Sequence, residues 1–266
     1  MLKKFIFAAA LALSSQPLFA QLDMFPSRER LDHLEGFDDK RFGWGFFLAG
    51  NTFNYHMKLD PRYGMKGKKQ NAVLSKGSAG FGAGIMGRVR LTDHFDLRLE
   101  PGLHFVERTL TFNTQDNFSY PEVAATGIPY LGDVERTVKS TYLDIPLLVE
   151  YHGDRWFNSR PYAAAGFSYL MNMQSNENSS DDNMQDVFRT TTHNYGPAAE
   201  LGLQFYFSKF KFTTGVRGTF FLNNELIKDN PADPTTSPPT PATPPYWAGA
   251  MKEAKSHAFM LVLKFE

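Results

Sequence analysis

The chain has 266 residues, and 28 Lys and Arg balance 28 Asp and Glu, so no net charge draws it to nucleic acid. Cysteine is absent, which excludes disulfide frameworks, thiolate metal sites, cysteine nucleophiles and a lipid-modified N-terminal cysteine. A mean hydropathy of −0.36 beside 25 Phe, 11 Tyr and 21 Gly suits amphipathic strands better than helices.

At the N-terminus, Lys3 and Lys4 precede an apolar run over residues 5–13, which Ser14, Ser15, Gln16 and Pro17 break ahead of Leu18, Phe19 and Ala20. That layout is an export signal cut after Ala20, so residues 1–20 read as a signal peptide. A spanning helix needs about twenty apolar residues, roughly twice this run. Residues 21–41 are polar, contain Pro26 and read as a mobile periplasmic segment.

From Phe42 onward the pattern alternates with period two. Over residues 79–91, Phe81, Ala83, Ile85, Val89 and Leu91 share one face, with Gly80, Gly82, Gly84, Arg88 and Arg90 on the other. Strands are expected at 42–53, 79–91, 95–105, 141–151, 161–171, 195–207, 210–222 and 257–265, eight in all. Their lengths suit a tilted crossing of a hydrocarbon layer. Connections 92–94, 152–160 and 208–209 are short, whereas 54–77, 113–139, 172–194 and 223–256 are long. This alternation predicts an all-β, eight-stranded antiparallel transmembrane up-and-down barrel over residues 42–266, with short turns and both termini periplasmic. Pro101, Pro146, Pro161 and Pro197 remove ladder donors and predict bulges or strand ends nearby.

A soluble eight-stranded barrel would turn its apolar face inward. Here the small residues accompany the charged ones, as a crowded polar lumen requires, and the opposite face carries Phe, Leu, Ile and Val. The expected lumen network is Arg88, Arg90, Arg98, Glu100, Asp144, Glu150, Glu200 and Arg217, joined by Asp96, Lys211 and Lys264. These charges nearly cancel and form no ring of one sign, so they predict a self-satisfied plug rather than an ion path. Aromatics near strand ends, among them Phe42, Trp44, Phe95, Tyr151, Phe207 and Phe210, suit interfacial girdles.

The remaining motifs carry no chemistry. The seven His residues include no HExxH pattern and no close pair. Ser256 and His257 are adjacent on a strand and point to opposite faces, and no GxSxG occurs. Gly80, Gly82 and Gly84 mimic a phosphate loop but lie on a strand with no helix after it. No enzymatic role, cofactor or metal is therefore expected.

Residues 142–151 (YLDIPLLVEY) and 160–166 (RPYAAAG) resemble the paired strands of the Bacteroidota outer-membrane β-barrel domain, and 97–103 (LRLEPGL) is similar to its third strand. Within that group, residues 36–51 (GFDDKRFGWGFFLAGN) resemble the opening of PorT proteins. The resemblance implies a non-catalytic accessory role in type IX secretion, and in gliding where present, with outer-membrane lipid and other secretion proteins as partners. Phe37, Asp38, Asp39, Lys40 and Arg41 combine an aromatic anchor with both charge signs and are the candidate partner-docking residues. The alternative is a general structural or adhesive outer-membrane barrel.

Overall fold

In a computed structural model the protein is described over residues 33–59, 73–112, 135–179, 188–227 and 251–266. The expected signal peptide over residues 1–20 and most of the segment before Phe42 lie outside the described residues.

Among the described residues ten strands make one antiparallel sheet: β1 Phe42–Leu59, β2 Val73–Gly77, β3 Ala79–Arg90, β4 Phe95–Leu99, β5 Gly102–Phe112, β6 Glu135–His152, β7 Ser159–Asn172, β8 His193–Tyr206, β9 Lys211–Phe220 and β10 Met251–Phe265. The first strand pairs with both β10 and β3, so the sheet closes on itself and leaves no edge there. Since β2 and β3 form one interrupted stave, and β4 and β5 another, the ring has eight staves. At Ser78 the interruption is a bulge: Gly77 faces Arg108 while Phe81 faces Phe105, leaving one residue extra on the β2–β3 stave. Pro101 causes no such shift, because Gly87–Leu99 and Gly84–Gly102 keep one register across it. The missing proline N–H breaks the ladder there without displacing a side chain.

Following partners round the wall from Phe53 leads through Ala258, Thr219, Ala198, Gly166, Leu148, Arg98 and Arg88 back to Gly43, ten residues before the start. That stagger sets the strand tilt and a bore that side chains can fill. Along the wall Phe81, Ile85, Leu99, Leu147, Leu201 and Leu261 are exposed, whereas Arg98, Glu100, Asp144 and Glu200 are buried. The exposed apolar surface ends in aromatics at both levels. Tyr195 and Phe205, ten residues apart on β8, stand ~25 Å apart along the axis at a tilt of ~40°.

Five strands run further toward the long connections than their sequence pattern predicts. The observed starts and ends at Leu59, Val73, Phe112, Glu135 and Met251 lengthen the staves by six or seven residues each. In these extensions the faces invert. Outside lie Lys58, Glu253, Glu107 and Lys139, with Lys58 on Glu253 at 2.6 Å; inside lie Tyr55, Val73, Leu110, Val138 and Met251. An apolar interior under a polar exterior is the arrangement of a barrel wall in water, so the extensions project beyond the lipid band.

Candidate functional site

The lumen is built in layers. Midway along it, Glu100, Glu150 and Glu200 face Arg98, Arg217 and Lys264, so the layer is neutral. Glu200 accepts from Arg98 at 2.8 Å, from the Arg217 Nε at 2.8 Å, from Lys264 at 2.6 Å and from the Tyr162 hydroxyl at 2.7 Å. Lys264 also reaches Glu100 at 2.8 Å, Arg217 pairs with Glu100, and Arg98 pairs with Glu150. Each group here is buried, and a buried charge is tolerated only when paired this thoroughly. Glycines make room for the layer above it. A Cβ on Gly82 would strike the His104 ring, and one on Gly84 would strike Phe47. His104 lies 3.6 Å from Asp144, which accepts from Ser168, and Asn51 lies 3.3 Å from the other ring nitrogen of His104.

The mouth at the short turns is closed by the N-terminal arm. Its turn over residues 33–40 uses positive φ at Leu34 and Gly36 and is tethered to the wall. The His33 N–H donates to Asn158 at 2.8 Å, and Arg155 donates to the His33 carbonyl while its guanidinium stacks 3.9 Å over Tyr206. Asp38 then turns into the lumen. It accepts from the Tyr206 hydroxyl at 2.7 Å and from Arg160 at 3.3 Å, with Lys211 3.7 Å away. Burial pushes the Asp38 carboxyl up, but Lys211, Arg160 and the Tyr206 hydroxyl outweigh it and hold the group below the usual carboxylate range. Beneath it Glu266 bridges Arg88 at 2.9 Å and Lys211 at 3.0 Å, and Arg88 reaches Asp96 at 3.4 Å.

A different plug fills the other mouth. Glu225, in the connection after β9, folds inward, accepting from the Tyr142 hydroxyl at 2.9 Å and the Ser256 N–H at 2.7 Å. Tyr142 in turn accepts from Arg108 at 2.7 Å, and Arg108 also donates to Ser256 and Ser140 and lies 4.0 Å over the Tyr55 ring. Burial raises the Glu225 carboxyl, and Arg108, Ser256 and Tyr142 offset this only in part. Between this plug and the charged layer sit Phe53, Tyr142 and Phe221, with Phe53 stacked on Tyr142 at 5.3 Å. Above it, Phe188 and Leu226 complete an apolar lid with Tyr55, Val73, Leu110 and Met251.

Of the residues expected in the lumen, Arg88, Arg98, Glu100, Asp144, Glu150, Glu200 and Arg217 are buried inside the barrel. Arg90 is not among them. It lies on the inward-facing register but past the rim, where it donates to Asp93 at 2.7 Å and Asp39 at 3.1 Å in contact with solvent. The expected docking residues also divide. Asp38 is spent on the barrel's own cations, Phe37 lies 5.6 Å from the Lys211 ammonium and Asp39 pairs with Arg90, which leaves Lys40 and Arg41 exposed. Sequence reasoning missed Arg108, Tyr142, Tyr162 and Glu225. Tyr142 and Tyr162 occupy inward positions of the expected strands and were accessible to that argument; Arg108 lies past the expected strand end at 105, and Glu225 comes from a connection, where no periodicity points inward.

A closed wall, apolar to the outside and filled with paired charges, defines an integral membrane β-barrel of the outer-membrane type. Residues 19–226 match the family model of the outer membrane protein beta-barrel domain, and the chain belongs to that family. Among solved structures it is similar to the outer membrane protein OprG of Pseudomonas aeruginosa, at 15% identity and a TM-score of 0.38 over 83% of this chain and 93% of that one. It is likewise similar to Neisserial surface protein A, at 13% identity and 0.35 over 84% and 97%, and to AlkL, at 12% and 0.36 over 91% and 92%. Superpositions this loose say nothing about activity. No curated protein sequence matches the chain.

Proposed function

We propose that this outer-membrane barrel works through contacts, with neither transport nor catalysis in its lumen, and that it serves as an accessory component of type IX protein secretion. The observation behind the contact reading is the continuous filling of the bore, from Asp38 at one mouth through the Glu200 layer to Glu225 at the other. The secretion reading rests on the PorT-like opening at residues 36–51. In this reading the short turns and both termini face the periplasm, where secretion-system partners meet the exposed Lys40 and Arg41 beside the arm. Deleting the gene and comparing exported sorting-domain proteins with the parent strain tests it. Loss of export is expected; unchanged export removes the secretion role.

The second reading, a structural or adhesive barrel, draws on the strand extensions. A stalk with an apolar interior and a salt-bridged exterior would hold the long connections clear of the lipid. Adhesion that persists in a deletion strain argues against it.

A further inference from the structure

We propose that the short-turn rim binds an anionic glycerophospholipid in a crevice where β1 meets β10 and the N-terminal arm. The crevice encloses about 490 Å³, enough for a headgroup and glycerol but not for acyl chains. Phe46 and Phe265, stacked at 5.1 Å, form part of its wall, and Trp44, 84% exposed, offers the outer surface along which chains would run.

Its polar side is cationic. Lys40 and Lys209 line it and have no acidic partner among the described residues. Arg88 lines it too: this side chain is 2% exposed, and its Nη2 has no hydrogen-bond partner among the described residues. Gly43 makes room for the Arg88 guanidinium and the Glu266 carboxylate beside it, since a Cβ there would strike the Glu266 oxygen. Glu266 is the acid in the wall, and Arg88 Nε at 2.9 Å and Lys211 at 3.0 Å already neutralise it. Two ammonium groups without a carboxylate partner, the Lys40 one lying 5.1 Å over the Phe37 ring, complement a phosphate diester, with the buried Arg88 guanidinium behind them. The aromatic wall beside them makes that phosphate a lipid's rather than a free ion's, because only a lipid fills both halves. The assignment draws on the proposed orientation solely for the leaflet that supplies the lipid.

The test is native mass spectrometry of the full barrel released from micelles containing phosphatidylglycerol or phosphatidylcholine at equal mole fraction. One phosphatidylglycerol should stay bound, favoured at least about tenfold, or ~1.4 kcal/mol. Lys40→Ala with Lys209→Ala should abolish the preference, while Lys139→Ala, at the far end, should keep it. Both lysines are exposed, and an unboiled-gel shift checks that the double variant folds; Lys40→Gln with Lys209→Gln is read the same way. Equal retention of the two lipids, or undiminished preference in the folded double variant, overturns the proposal. So does displacement of the lipid by millimolar inorganic phosphate, which would mark a plain anion site. Labelling a single Asp93→Cys in intact cells tests the orientation separately, so the two readings fail independently.

Discussion

The two mouths of the barrel are closed by carboxylates from outside the strands, yet by opposite physics. Asp38 enters a mouth already lined with Arg160 and Lys211 and is held as an anion. Glu225 enters a mouth where Arg108 is shared with Tyr142 and Ser256 beneath an apolar lid, and burial outweighs these partners and favours its neutral form. One closure is therefore electrostatic and the other is mainly packing with hydrogen bonds. The same residue class does either job because the surrounding donors and dielectric, rather than the carboxyl itself, set the protonation state.

The sharpest way to break the comparison is to remove the layer on which both plugs rest. Glu200→Ala leaves Arg98, Arg217 and Lys264 short of their shared acceptor, and breaking a buried charge cluster costs about 3–5 kcal/mol. The temperature at which the barrel loses its folded mobility on unboiled gels should fall more than in any mouth variant.

Next in size is the packed mouth. Because the folded barrel raises the Glu225 carboxyl, its native state binds that proton more tightly, and stability from this group declines as pH rises above the ordinary value of 4.5. Glu225→Gln should match the parent in acid and exceed it at neutral pH, read as the thermal midpoint against pH. A Gln variant less stable than the parent at pH 7 would mean that the charged form is the one the mouth prefers.

The electrostatic mouth responds with the reverse sign and least. Asp38 has a depressed carboxyl, so its contribution is complete above the ordinary 3.8 and lost as pH falls through the lowered value. Its side chain is 24% exposed, and screening limits Asp38→Asn to about 1 kcal/mol or less. Limited proteolysis should cut the arm near Gly36 in the variant at neutral pH, and in the parent only in acid.

The wall was legible from sequence because period two holds through the lipid zone: Leu99 outside, Arg98 and Glu100 inside, and the rest follow. It became illegible where the faces invert. Along β5 the outward series passes from Leu103 and Phe105 to Glu107 and Thr109, while the inward series gains the apolar Val106 and Leu110 on either side of Arg108. An expectation of constant face chemistry ends the strand at that switch, although the ladder continues to Phe112. Arg90 fails for a related reason. Periodicity gives the side of the wall but not the height along it, and Arg90 lies past the rim. The two plugs were hidden altogether, since Asp38 and Glu225 are placed by turns and long-range partners rather than by local pattern.

The central claim is that the bore is filled from mouth to mouth. Purified barrel reconstituted into planar lipid bilayers tests it directly. The account predicts insertion without stable current steps, including at pH 4 and pH 8; large, steady single-channel currents from the parent protein would contradict it.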